Sequence, residues 1–131
     1  MSFQCTVVTP EQQVFDETVT QAILPAHDGQ VGVLTNRAPL LVKLGLGPLR
    51  LDVQGGPART FFVDGGIAQM KDNRLTILTQ EATPTAEIDA ETARAEYAEA
   101  EARIPTDDRT RQDRAHAMRR ARAKQELASA R

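Results

Sequence analysis

The chain has 131 residues, 40% of them hydrophobic and 4% aromatic, with a formal net charge of −2; that length makes one ordinary domain, or a small domain with an appendage. With no Trp and one Tyr it offers no stacking platform for single-stranded nucleic acid, and its balanced charge gives no wholesale attraction to nucleic acid or to an anionic lipid surface. Cys5 is the only cysteine, which excludes an internal disulfide and a cysteine-based zinc site.

The N-terminal MSFQCTVV has no charged n-region, long apolar h-region or Arg-rich leader, so no targeting segment is expected. No apolar run approaches the ~20 residues that span a bilayer. Cys5 stands within FQCTVV and reads as a small buried hydrophobe. QCTVVT, VTQAILP and QVGVL read as short strands with turn residues between them. PLRLDVQ alternates Leu49, Leu51 and Val53 with Arg50, Asp52 and Gln54, the period-two pattern of a half-buried strand. Gly55, Gly56 and Pro57 make a turn, and RTFFVD follows as its hairpin partner. Gly65 and Gly66 are expected to break the chain before IAQMK, and Asp72 and Asn73 to turn it into RLTILTQ. Short strands punctuated this often imply a β-sandwich or flattened barrel.

Composition changes near Pro84, within EATPTAE, and divides the chain into a β-domain, 1–85, and a helical part, 86–131. From Ile88 to Ile104 neither Gly nor Pro occurs, and Ala and Glu dominate. Asp89 is placed to cap this helix, and a thin seam runs Ala90, Ala93, Tyr97, Ala100, Ile104. Pro105 ends it, and Thr106, Asp107 and Asp108 open a second helix over roughly 107–129. The first helix is acidic (Glu87, Asp89, Glu91, Glu96, Glu99 and Glu101 against Arg94 and Arg103), whereas Arg109, Arg111, Arg114, Arg119, Arg120, Arg122, Lys124 and Arg131 make the second basic. An antiparallel hairpin of the two is electrostatically sensible. An alanine seam buries little area, at ~25 cal/mol per Å2, and exposed ion pairs add ~0–1 kcal/mol each. Such a hairpin opens cheaply.

Catalytic chemistry has no candidate constellation. DGQVGV, GLGP and DGG lack the GK[ST] ending of a phosphate loop and read as turns. His27 and His116 have no second His or Cys at ligand spacing, so neither a metal nor a cofactor is expected. Ser2 and Ser129, the only serines, lie near the chain ends. The basic residues of the second helix suit an acidic protein surface better than phosphates, because the flanking helix is acidic and aromatics are missing.

VVTPEQQVF, LPAHDGQVGVLTNRAPLL and FFVDGGIAQMKDNRLTIL, in this order, resemble the epsilon subunit of F-type ATP synthases, and the resemblance covers essentially the whole chain. It implies a ten-stranded β-sandwich followed by an antiparallel α-helical hairpin. It also implies a non-catalytic rotor subunit of the central stalk, bound to the gamma subunit and to the ring of membrane c subunits, coupling proton flow to ATP synthesis. The implied location is the cytoplasmic side of a bacterial membrane, reached through the complex. Carried over, Asp28, Gly29, Gln30, Val31, Asn36 and Arg37 are the ring-facing positions. Gln30 departs from the acid, and Arg37 from the His, common at those places, so no salt bridge is expected at residue 30. In bacterial relatives the hairpin extends along gamma into the catalytic alpha/beta head and blocks ATP hydrolysis. Arg114, Arg119, Arg120, Arg122 and Lys124 are the contacts that this implies here. Some relatives bind ATP through an I/L-D-x-x-R-A motif. Ile88, Asp89 and Ala93 match it, but Thr92 holds the Arg position, and Arg94 points nearly the opposite way around the helix. A stand-alone β-sandwich adaptor whose hairpin recruits partners is the alternative.

Overall fold

Apolar residues at every second position decide the first strand: in FQCTVV, Phe3, Cys5 and Val7 are buried and the residues between them are not. In the computed structural model, which describes residues 1–129, seven strands, one 3-10 turn and two α-helices follow in order. They are β1 (Phe3–Val8), β2 (Gln13–Ala26), β3 (Gly29–Leu34), β4 (Leu40–Val53), β5 (Arg59–Lys71), β6 (Arg74–Leu78), β7 (Ala82–Pro84), the turn Thr85–Glu87, α1 (Ala90–Ala102) and α2 (Asp108–Ser129). The chain divides into two compact units, Met1–Pro84 and a second beginning at Thr85.

β1 pairs antiparallel with β2 and parallel with β6, so the path β1-β6-β5-β4-β2 returns on itself. β3 adds to β2, and β7 adds to β5. The three long strands change neighbours along their length. β2 pairs with β1 over Gln13–Val19, then with β3 over Gln21–Ala26. The first half of β4 lies opposite Ile67–Met70, which pair with β6; its second half lies opposite Arg59–Phe61 and beside β2. β5 pairs first with β7, then with β6. A β-sandwich results in which β2, β4 and β5 each serve both layers, which accounts for the ten strand segments of the expectation.

This arrangement corrects three readings. Gly65 and Gly66 do not break the chain; they lie inside β5, at φ 69° and 109°, between its β7-paired and β6-paired halves. A Cβ at Gly66 would stand 1.9 Å from the Leu78 carbonyl oxygen, so glycine is required for that approach. GLGP lies within β4 and DGG within β5, not in turns. Residues 40–47, unassigned by alternation, form the first half of β4. By contrast Asp72 and Asn73 make a two-residue hairpin turn, both at positive φ (53° and 58°), which closes Lys71 against Arg74.

The core gathers Phe3, Val7, Val19, Leu24, Leu49, Leu51, Val63, Met70 and Ile77 among others, each worth ~1.5–3 kcal/mol for the larger side chains. Phe15 and Phe61 meet edge to face at 5.9 Å. The Arg59 guanidinium lies over both rings, at 5.6 and 5.3 Å, and pairs with Glu17 at 3.6 Å.

In the second unit Asp89 caps α1, accepting from the Glu91 amide at 3.2 Å. The helix ends at Ala102, with Arg103 extended, shortly before Pro105. Asp107 accepts from the Thr110 amide at 2.8 Å, and the Thr110 hydroxyl accepts from the Thr106 and Asp107 amides, a reciprocal cap for α2. Ala93 and Ala100 are buried on α1, and Ala121 on α2. Ile104 does not continue that seam: it is 87% exposed, beyond the helix end. Arg131, counted among the basic charges, lies outside the described residues.

Candidate functional site

The chemistry of the second unit follows from its antiparallel geometry, which sets residues of α1 against residues of α2 in reverse chain order. Arg114 Nη2 donates to the Glu101 carbonyl at 2.9 Å. Glu96 lies between Arg120 Nη1 at 3.5 Å and Lys124 Nζ at 3.8 Å, two cations one turn apart. Arg122 Nη2 donates to the Tyr97 hydroxyl at 2.9 Å, and its guanidinium carbon stands 5.3 Å from the ring centroid. Four of the five basic residues singled out from the sequence are therefore engaged with α1; Arg119 is exposed. Sequence reasoning missed Glu96 and Tyr97 as their counterparts. The signal was the opposite charge of the two helices, which sets an acid of α1 against the cations of α2.

The matches to the nucleotide motif are engaged within the fold. Asp89 accepts from the Glu91 amide and, at 2.8 Å, from the Thr92 hydroxyl, while Ile88 and Ala93 are buried. Arg94 pairs with Glu91 at 3.0 Å. Thr92, standing where the motif has Arg, thus strengthens the cap and brings no positive charge.

In the first unit the six ring-facing candidates do not form one loop. His27 and Asp28 make a two-residue turn between Ala26 and Gly29, tied to β4 by His27 N–H donating to Lys43 O at 2.9 Å. Gly29, at φ 142°, and Gln30 begin β3, both exposed, and Val31 packs against the core. Asn36 and Arg37 follow the other end of β3, roughly 20 Å away at ~3.3 Å per residue. There the Asn36 amide donates to Asn73 Oδ1 at 2.8 Å, and the Thr35 hydroxyl donates to the Ser2 carbonyl at 2.9 Å. Gln30 is uncharged, so residue 30 makes no salt bridge. An open groove of about 590 Å3 is lined by Val8, Pro10, Lys43, Ile67, Leu78 and neighbouring residues of β1, β4, β5 and β6 and the segments after them. Ile67 and Leu78 are 44% and 45% exposed.

Residues 2–85 match the family model described as ATP synthase, Delta/Epsilon chain, beta-sandwich domain. The chain belongs to the ATP synthase epsilon chain family. Members of that family are non-catalytic subunits of a proton-translocating ATP synthase. A relative from Rhodopirellula baltica, an ATP synthase epsilon chain, is 44% identical over 100 residues, 76% of this chain and 77% of its own. One from Gloeothece citriformis is 36% identical over 129 residues, 95% of this chain and 93% of its own, so the similarity runs through the helices. A chloroplastic ATP synthase epsilon chain from Emiliania huxleyi is 43% identical over 95 residues, 72% of each chain. Among solved structures, a chain of the Euglena gracilis mitochondrial ATP synthase (OSCP/F1/c-ring) superposes with a TM-score of 0.81 at 25% identity, covering 93% of this chain and 78% of that one. A chain of the Tetrahymena thermophila mitochondrial ATP synthase (central stalk/c-ring) gives 0.75 at 14% identity over 95% of each, a likeness of fold alone.

Proposed function

We propose that this family member is a rotor subunit of the central stalk, coupling proton flow through the c-ring to ATP synthesis, and that its hairpin is a releasable brake on ATP hydrolysis. The sandwich carries the docking role. Its partners are the gamma subunit and the c-ring, and with them it sits peripherally on the cytoplasmic side of a bacterial membrane. With the six candidates at two ends of β3, the turn of Asp28, Gly29 and Gln30, with Val31 behind it, faces the ring. Asn36 and Arg37 then belong to a different contact. Among the ring-facing residues Asp28 bears the only charge, so loss of an acid at position 30 weakens that contact without abolishing it.

One observation carries the brake: the basic residues suited to an acidic surface of the alpha/beta head are the same ones held against α1. Arg120 and Lys124 meet Glu96, Arg122 lies on Tyr97, and Arg114 reaches the Glu101 carbonyl. Folded hairpin and engaged brake therefore compete for the same side chains. The three buried alanines add little burial, and the partly exposed ion pairs contribute ~0–1 kcal/mol each. A partner of modest affinity for the open form shifts such a balance.

The test is ATP hydrolysis by a purified catalytic head with gamma, supplemented with the full chain or with residues 1–85. Binding by both, with slower hydrolysis only for the full chain, is the expected result. Equal rates would remove the brake and leave the docking; if neither chain binds, both readings fall and a stand-alone adaptor takes their place.

A further inference from the structure

Between α1 and α2 a pocket of about 240 Å3 is lined by Tyr97, Arg114, Ala115, Met118, Arg119 and Arg122. Among the described residues no acidic side chain lines it. The other hairpin arginines that are paired reach carboxylates: Arg94 to Glu91, Arg103 to Glu99, Arg111 to Asp108 and Arg120 to Glu96. At the pocket the partners are neutral, the Glu101 carbonyl for Arg114 and the Tyr97 hydroxyl for Arg122. Three positive charges are therefore left without carboxylate compensation, and each guanidinium has five N–H donors, more than these bonds use. Arg114 Nε is moreover fully buried with no acceptor among the described residues, an arrangement that costs stability unless an acceptor is supplied. Ala115 and Met118 give the pocket an apolar wall that strengthens charge–charge attraction.

We infer that this pocket binds a small polyvalent oxyanion of the phosphate class, held by Arg114, Arg119 and Arg122 beside the Tyr97 ring. Its volume falls below the ~300–1,000 Å3 of pockets that enclose drug-sized ligands, so it suits an inorganic phosphate or diphosphate and not a whole nucleotide. The site is separate from Ile88, Asp89 and Ala93, whose groups are already engaged around the α1 cap. Because Tyr97 comes from α1 and the arginines from α2, the bound anion bridges the two helices.

Tyr97 is the only tyrosine and the chain has no tryptophan, so the emission comes from a residue that lines this pocket. The full chain is titrated with pyrophosphate at constant ionic strength. A saturable change in Tyr97 emission is expected, weakened about tenfold by Arg119→Ala, which removes one charge-assisted donor. Arg119 is exposed, so this variant keeps the wild-type far-UV spectrum; Arg122→Lys, which keeps charge but loses the planar fork, weakens binding as well. Arg109→Ala, an exposed position outside the lining, leaves the titration unchanged. The inference is overturned if emission does not saturate, if sodium chloride alone reproduces the change, if Arg119→Ala binds like the wild type, or if Arg109→Ala weakens binding equally.

Discussion

Gly66 is the least tolerant of the sandwich's glycines. A methyl group there meets the Leu78 carbonyl oxygen at 1.9 Å, on backbone already at φ 109°. Gly66→Ala should lower stability by about 3 kcal/mol or more, read as a fall in thermal midpoint. Gly32→Ala, with nothing within 4 Å of the added carbon, should stay within ~0.5 kcal/mol. Cys5 gives a second prediction at this scale. Burial, reinforced by the Asp16 charge, pushes its thiol up to about 12 from 9.0. The folded chain thus holds the proton where the unfolded chain releases it. Stability should decline as pH rises from about 9 towards 12, by a few kcal/mol at most, and Cys5→Ala should lose that part of the decline in denaturant titrations. Placement of Cys5 in an apolar run was enough to anticipate its burial. Gly65 and Gly66 were misread because glycine marks a turn and a close strand approach equally well, and only the position of Leu78 tells them apart.

At the scale of the element, the caps of both helices and the stop before Pro105 were legible because capping chemistry is local: Asp89 and Asp107 each bond amides two or three residues on. The end of the seam was not. Ile104 has helical spacing from Ala100, but the helix ends before it, leaving it exposed. Asp107 carries a pH prediction. Bonds from the Thr110 amide, and after it the Thr110 hydroxyl, hold its carboxyl below the usual range. Its contribution to α2 is therefore present above the ordinary carboxylate range and lost as pH falls through the lowered value. Amide exchange at the start of α2 should rise in acid, and Asp107→Asn should blunt that rise. The hairpin seam makes a further test. Ala100→Leu forces a larger side chain into a fully buried place, which should cost ~1–3 kcal/mol and shift Tyr97 emission towards that of the open form. Unchanged emission would show that the seam tolerates bulk and does not govern opening.

Across the whole molecule, the two units differ in what holds them. A continuous core of aromatic and branched side chains fills the first, and small alanines with peripheral ion pairs join the helices of the second. Hydrogen exchange should divide accordingly, α1 and α2 exchanging well before the central strands β4 and β5; uniform exchange would contradict that division. This contrast was readable from composition, since Val, Leu, Ile and Phe thin out after Pro84. Separation of the ring-facing candidates was readable in part: QVGVL between them reads as a strand, and its pairing with β2 fixes six residues, Gly29–Leu34, between its ends.

The strands shared between layers have a mechanical consequence. Two sheets joined only by side-chain packing slide past each other along a greasy plane when one is pushed. Here β2, β4 and β5 pass from one layer into the other, so any sliding must stretch covalent backbone or rupture a ladder of hydrogen bonds. A sideways force on one layer reaches the other through the chain itself, and the domain resists shear as a single stiff block.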